Sequence, residues 1–247
     1  MKGVILAAGI ASRLRPLTDA TPKCLLPLGG STLLGRTLDN LAAAGIRDIV
    51  IVTGYLEDQI RRYVGANHAG LKTTFIRNDV YASTNNIYSL WLAREAVRRE
   101  GMVLLDSDIL FDPSVLPAVL GADAPAGLAV KTGRELGEEE IKVEVDDLMH
   151  VRMIGKHVPP DLAAGESIGI EVFSPAAMER LFAAMERKVV AEGQVNVFYE
   201  AAFQAMIDAG GTIMAVDIGD ALAIEIDTID DFRRAERDIL PQLPRTR

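Results

Sequence analysis

Gly3-Val4-Ile5-Leu6-Ala7-Ala8-Gly9-Ile10-Ala11-Ser12-Arg13-Leu14-Arg15-Pro16-Leu17-Thr18, closing at Thr21-Pro22-Lys23, is the stretch on which the fold turns. Gly3 to Ala8 is short and continuously apolar, the composition of a strand buried on both faces, and it stops at Gly9. From Gly9 to Gly30 the chain has no clear period and is rich in Gly, Pro, Thr and basic residues, which reads as a long loop. Loops of that length inside a compact fold are usually functional. Small residues following Leu6, namely Ala7, Ala8, Gly9 and Ser12, let backbone N–H groups approach a phosphate chain without side-chain interference. Arg13 and Lys23 bring fixed positive charge into the same turn, as a triphosphate with roughly four negative charges requires. The other phosphate loops do not fit. No Gly-Lys pair followed by Ser or Thr opens a helix after a strand, and Gly9 stands alone where a dinucleotide fingerprint needs three spaced glycines.

Outward from this loop, Ser31 caps a helix with Leu34, Leu38, Leu41 and Ala42 at helical spacing, ending at Gly45. Ile49 to Val52 is a buried strand, Leu56 to Val64 a helix, Thr73 to Ile76 a strand, Ile87 to Arg98 a helix and Met102 to Leu105 another strand. That alternation predicts a parallel sheet covered on both faces. Asp112-Pro113 opens a short helix. After Gly127 the rhythm changes. Leu128 to Val130, Ile141 to Val145, Val151 to Ile154 and Ile168 to Phe173 are strand-like without intervening helices, followed by helices over Pro175 to Glu192 and Val197 to Ala209. Ile213 to Val216, Ala221 to Ile226 and a helix from Ile229 complete the pattern. The expected organisation is one domain over residues 1–247, with a nucleotide-binding half (1–125) and an acceptor-binding half (126–247) lying over the carboxyl ends of the first half's strands.

The bulk properties narrow the function classes. The 247 residues are ordinary globular material, and Cys24 is the single cysteine, so no disulfide forms within the chain, which fits a reducing cytoplasm. A formal net charge of −9 opposes a nucleic-acid partner, which needs a basic face. The apolar run at the start is too short for a signal peptide and is followed by Arg13 and Arg15, and nothing approaches the roughly 18 apolar residues of a membrane span.

Two acidic sites stand at strand ends. Asp106-Ser107-Asp108 follows the strand ending at Leu105, and alternation sends the two carboxylates to opposite faces. A carboxylate there, beside a phosphate cradle, suits Mg²⁺; the other reading is an Asp turn. Glu225-Ile226-Asp227 ends the last strand, where Asp227 reads on its own as the cap of the final helix.

The Ala-Ala-Gly turn, the Arg13-Leu14 pair, Pro16-Leu17-Thr18 and Pro22-Lys23 together resemble the signature of the sugar-phosphate nucleotidyltransferase superfamily, with Ala11 where glycine is commoner. The resemblance implies a Rossmann-like nucleotidyltransferase fold: a mostly parallel central sheet, helices on both faces and a small β-rich acceptor-binding subregion. It also implies that Asp108 and Asp227 hold Mg²⁺ together, with Asp106 and Glu225 as neighbours. Asn78-Asp79-Val80-Tyr81-Ala82-Ser83-Thr84-Asn85-Asn86-Ile87-Tyr88-Ser89-Leu90 resembles the cytidylyltransferase branch, which includes choline-phosphate and 2-aminoethylphosphonate cytidylyltransferases. There this segment helps form the nucleotide and substrate pocket, which adds Tyr81 and Asn85 to the nucleotide side and Asn86 to the acceptor side. Asn85 and Asn86 offer donors and acceptors for a base edge, or Asn85 caps the helix while Tyr88 and Leu90 face the core. Lys156 lies where the superfamily places a lysine on the acceptor's phosphate, and Glu171 in Glu166 to Phe173, with Tyr199-Glu200, resembles segments lining the acceptor pocket.

The implied reaction is magnesium-dependent transfer of CMP from CTP to a small phosphonate or phosphorylated acceptor, by in-line displacement with loss of pyrophosphate. Arg13, Lys23, Asp108 and Asp227 form its catalytic set, and Cys24 is packing rather than nucleophile. A quaternary ammonium is held by an aromatic cage. Glu138-Glu139-Glu140-Ile141-Lys142 lacks an aromatic and Trp91 sits inside a helix, although Phe198, Tyr199 and Glu200 supply part of a cage. Lys142 and Lys156 together would suit an extra anionic group, which favours a phosphonate or another polar phosphoryl compound over phosphocholine. Sugar 1-phosphates and inositol phosphates are the alternative acceptors, a non-catalytic nucleotide-sensing module is the alternative class, and a homodimer is an open option for assembly.

Overall fold

The computed structural model describes residues 1–97, 99–133 and 136–244. The first half runs β1 (Lys2–Ala7), a small hairpin of β2 (Pro27–Leu28) and β3 (Ser31–Thr32), α1 (Leu33–Ala43), β4 (Asp48–Thr53), α2 (Glu57–Asn67), β5 (Lys72–Arg77), α3 (Asn86–Val97), β6 (Met102–Asp106), β7 (Ile109–Phe111) and α4 (Val115–Leu120). The second half adds β8 (Ala126–Thr132), β9 (Lys142–Val145), β10 (Val151–Gly155), β11 (Gly165–Phe173), α5 (Pro175–Glu186), α6 (Glu200–Asp208), β12 (Met214–Asp217), β13 (Ala223–Glu225) and α7 (Ile229–Arg234). The central sheet has the order β10-β9-β11-β6-β1-β4-β5, with β8 on β11 and β12 on β8. β6, β1, β4 and β5 are parallel, as the strand–helix alternation predicts. β11 joins β6 antiparallel and carries the second half into the same sheet.

Period-two alternation divides the core. Val4, Leu6, Val50, Val52 and Leu104 pack on one face with residues of α3, α5 and α6. Ile5, Ala7, Ile49, Ile51, Val103 and Leu105 pack on the other with residues of α1, α2 and α4. A third cluster joins Leu14, Leu26 and Leu28 to Ile226, Ala235 and Ile239, so the loop after β1 is anchored on the C-terminal segment.

Element ends move by a residue or more where local hydrogen bonding decides. The α1 cap is Thr32 rather than Ser31: the Thr32 hydroxyl accepts the Gly35 N–H at 3.0 Å, while Ser31 pairs in the hairpin. Its far end closes as expected at Gly45, where Gly45 N–H bonds to Ala42 and Ile46 N–H to Leu41 in a Schellman motif. α2 starts one residue late, after a left-handed Leu56. α4 starts at Val115, because Asp112 turns back to accept the Ser114 N–H at 2.8 Å. α3 reaches Val97, and the predicted last residue, Arg98, lies outside the described residues. α5 widens into a π turn over Arg187–Ala191. α6 begins at Glu200 rather than Val197, because the Val195 carbonyl accepts the Asn85 N–H and the Tyr199 N–H donates to Asn86 Oδ1. Among the described residues no helix is long and apolar enough to cross a membrane.

Candidate active site

A cleft of about 660 Å³ opens over the carboxyl ends of β1 and β6, with walls from both halves of the chain. Leu6, Ala7, Ala8 and Gly9 form part of its floor, and a Cβ placed on Gly9 would meet nothing within 4 Å, so the backbone there is open to a ligand. Ala11 adopts φ 53°, ψ 51°, a left-handed turn that glycine accepts more readily and that starts the short 3₁₀ turn carrying Arg13. Ser12, expected among the nucleotide ligands, is exposed and does not line the cleft.

The four residues of the expected catalytic set meet. Ile226 N–H donates to Asp108 O at 3.0 Å, extending the antiparallel pairing of β13 with β7, and this sets Asp227 next to Asp108 across more than a hundred residues of chain. Lys23 Nζ lies 2.8 Å from Asp108 Oδ2 and 2.7 Å from Asp227 Oδ1, and Arg13 Nη2 lies 2.5 Å from Asp227 Oδ2. Burial opposes the Lys23 charge, yet Asp108 and Asp227 outweigh it and hold the ammonium above its ordinary pKa. Burial likewise pushes Asp227 up, and Lys23 and Arg13 overcome this to hold it below the usual carboxylate range. Asp227 is not the cap of α7. Thr228 and Asp231 form a capping box there, which leaves the Asp227 carboxylate to the cleft.

Glu225 joins this pair: ligand atoms of Asp108, Glu225 and Asp227 all lie within 4.8 Å of one another. Glu225 remains exposed at the edge of the cleft, yet desolvation by its surroundings, with the Asp108 and Asp227 charges, pushes its carboxyl up. Asp108 Oδ1 is buried without a hydrogen-bond partner. Three carboxylates and an orphaned oxygen are a donor set that fits a hard divalent cation. Cys24, next to Lys23, is buried, and burial with the Asp108 charge pushes its thiol up to about 12, so it is inert as a nucleophile.

Asp106 and Asp108 diverge as expected, but through a turn at Ser107 rather than strand alternation. Asp108 enters the carboxylate trio, whereas Asp106 Oδ2 accepts the Tyr199 hydroxyl at 2.9 Å. Burial and the Asp108 charge raise the Asp106 carboxyl well above its ordinary value. Tyr199 and Glu171, expected against the acceptor, are fully buried behind the floor, with Tyr199 also 3.5 Å from Glu171 Oε1. Gly169 in β11 passes close to this group at φ +69°, and a Cβ there would lie 2.9 Å from Asp106 Oδ2. Gly169→Ala is therefore expected to lower unfolding free energy by about 1–2 kcal/mol, measured by urea denaturation; wild-type stability would show that the position tolerates a side chain.

Lys156, Glu200, Phe198 and Glu139 also line the cleft, as do Tyr81, Asn85 and Asn86, and the Tyr199 N–H donates to Asn86 Oδ1 at 2.8 Å, which sets Asn86 beside Phe198 and Glu200. Lys156 Nζ pairs with Glu139 at 2.8 Å and lies 5.2 Å from the Phe198 ring. Lys142, expected beside it, is buried and donates to the carbonyls of Gly137 and Glu140, so it holds the loop over 137–140 and offers no charge to the cleft. Glu200 is buried, its Oε2 has no hydrogen-bond partner, and burial pushes it up to about 7. Glu139 takes its place from the pairing of β9 with β10 and β11, and Gly169 from the pairing of β11 with β6, neither of which the sequence pattern shows.

Residues 3–156 match the model of the MobA-like NTP transferase domain. The CMP-5'-(3-aminopropyl)phosphonate synthase of Streptomyces rubellomurinus is 30% identical over 96% of this chain and 38% of its own. The choline-phosphate cytidylyltransferase of Streptococcus pneumoniae is 39% identical over 43% of this chain and 45% of its own. In each case the matched part spans less than half of the relative's length. The solved CTP:phosphocholine cytidylyltransferase of Streptococcus pneumoniae has the same fold, with a TM-score of 0.75 over 95% of this chain and 97% of that one at 24% identity. The match over more than half of its length decides the family: the chain belongs to the MobA-like NTP transferase family.

Proposed function

We propose that the protein transfers CMP from CTP to an oxygen of a small phosphonate or phosphate monoester that carries an amino group, releasing pyrophosphate. The observation that carries this reading is the single network of Arg13, Lys23, Asp108 and Asp227 in one cleft with Lys156 and Glu200. The names of the two sequence relatives, one a CMP-phosphonate synthase and the other a choline-phosphate cytidylyltransferase, support the nucleotide.

A phosphonate or phosphate oxygen is already ionised at neutral pH and attacks the α-phosphorus directly. The new O–P bond forms as the bond to the bridging oxygen breaks, and that oxygen leaves with pyrophosphate, so neither a general base nor a protein nucleophile is required. Leu6 to Gly9 cradle the triphosphate, and Arg13 and Lys23 exchange carboxylate partners for its oxygens. Asp108 and Asp227, with Glu225, would hold Mg²⁺, which when bound would supply charge neutralisation at the phosphates. The carbonyl oxygens of Asn85 and Asn86 accept the N–H groups of Asn86 and Tyr199, which leaves their NH₂ groups to read a base edge. Lys156 exchanges Glu139 for the acceptor's phosphoryl group.

With Lys142 withdrawn, the cleft does not present the lysine pair that would suit an additional anion. Glu200 lines the cleft, and its Oε2, just beneath the surface, has no hydrogen-bond partner. An oxygen in that state gains most from an N–H donor, which a primary ammonium has and a trimethylammonium lacks. Glu200→Gln is expected to raise KM for an aminoalkylphosphonate by roughly 10–100-fold at nearly unchanged kcat, the scale of a hydrogen bond to a charged group. Propylphosphonate, lacking the amine, should be insensitive to the change. Because the ionised carboxylate is the binding form, wild-type KM for the amine, relative to propylphosphonate, should fall as pH rises through about 7, and the Gln variant should lose this dependence. Equal effects on both acceptors would remove Glu200 from amine recognition. The reading as a whole is tested by pyrophosphate release from each of the four common nucleoside triphosphates crossed with aminoalkylphosphonates, phosphocholine and sugar 1-phosphates. CTP with an aminoalkylphosphonate should be the fastest pair, and release with sugar 1-phosphates alone would overturn it.

A further inference from the structure

Both cations of the phosphate cradle are engaged by carboxylates, the same ones assigned above to the metal. Lys23 Nζ bridges Asp108 Oδ2 and Asp227 Oδ1 at 2.8 and 2.7 Å, and Arg13 takes the remaining oxygen of Asp227. The Lys23 side chain is only 11% exposed, so these carboxylates, more than water, solvate its charge. Asp108 and Asp227 are also two members of the trio whose ligand atoms converge within 4.8 Å. An ammonium and a divalent ion at hydrogen-bonding and coordination distance from the same oxygens repel strongly in a partly buried site. One must leave for the other to bind.

We propose that Lys23 is a built-in surrogate for the divalent cation: its ammonium holds Asp108 and Asp227 together in the free protein, and releases them to the metal when a triphosphate arrives to take the ammonium. The proposal rests on the nucleotidyltransferase reading of Asp108 and Asp227 given above and adds to it a coupling. Metal alone must displace Lys23 from its counter-ions, and nucleotide alone must draw Lys23 away and leave the carboxylates bare. Bound together, each ligand relieves the obstacle to the other, and by linkage the help is reciprocal.

The test is Mn²⁺ binding to nucleotide-free protein, followed by the electron paramagnetic resonance signal of free Mn²⁺. Lys23→Met should bind Mn²⁺ between about 5-fold and about 150-fold more tightly than wild type, the usual range of coupling between two ligands. Adding Asp108→Asn to Lys23→Met should remove the gain. Equal or weaker binding by Lys23→Met overturns the surrogate role. Turnover of CTP by the wild type with Mn²⁺, measured in parallel, separates the two claims. Turnover without tighter binding by Lys23→Met discards the surrogate and leaves the nucleotidyltransferase reading standing, whereas absence of both discards the reading itself. If Lys23→Met unfolds in chelator, Mn²⁺ should restore its circular dichroism and thermal transition by replacing the missing cation; a variant that stays unfolded in Mn²⁺ contradicts the proposal.

Discussion

Lys23→Ala is expected to lower kcat for CMP transfer by roughly 10²–10³, the scale for losing one preorganised donor aimed at developing charge. The expectation follows from the position of Lys23 and not only from its charge. Pro22 precedes a 3₁₀ turn over Lys23–Leu25 whose Cys24 is buried in the core, so the side chain emerges from a fixed base beside the cradle. Asp108 and Asp227 keep the group protonated throughout the working pH range. Arg13 reaches only Asp227 and is more exposed, so it does not substitute for a buried ammonium. The loss should fall on kcat more than on KM for CTP, because the contact strengthens as charge builds on the leaving pyrophosphate. Steady-state kinetics with circular dichroism as a folding control checks this, and activity within a few-fold of wild type would remove Lys23 from the mechanism.

Asp108→Asn is expected to abolish metal-dependent turnover, a loss of roughly 10³ or more. A metal acting on transferring phosphate supplies several kcal/mol, and each 1.36 kcal/mol is tenfold in rate. The substitution keeps shape and volume but removes the charge that both Lys23 and a divalent ion require, at a residue whose Oδ1 already lacks a partner. It is also expected to disturb the free protein, since Lys23 would keep one anionic partner instead of two. Turnover within a few-fold of wild type at every Mg²⁺ concentration would overturn the metal assignment. A loss restored at higher Mg²⁺ would instead indicate that Asp108 strengthens metal binding without setting its chemistry.

What the sequence made legible was local. The strand, the glycine turn, Arg13 and Lys23 lie within 25 residues, and their meeting in one cleft follows from chain order. The meeting of Asp108 with Asp227 was reachable only through family resemblance, because it depends on the pairing of β7 with β13 and the Ile226–Asp108 backbone bond. Lys142 shows the opposite failure. A lysine near the acceptor side looked like an anion ligand, but its strand pairing with Gly155 and Glu166 buries it, and the ammonium then finds backbone carbonyls. Tyr199 and Glu171, expected against the acceptor, are fully buried, since no sequence pattern separates a cleft wall from the layer behind it. The start of α6 moved for a related reason: the Asn85-Asn86 pair, read as ligand-binding, also fastens the segment before Glu200 to α3.

The central claim, direct transfer of CMP from CTP to an amino-bearing phosphonate, is tested most directly by ³¹P nuclear magnetic resonance of the protein with CTP, Mg²⁺ and an aminoalkylphosphonate. The expected result is a coupled pair of signals from a phosphonate–phosphate anhydride, appearing in step with pyrophosphate and absent without the acceptor. Pyrophosphate released together with free CMP and unchanged phosphonate, or an unchanged CTP spectrum with every acceptor, would contradict it.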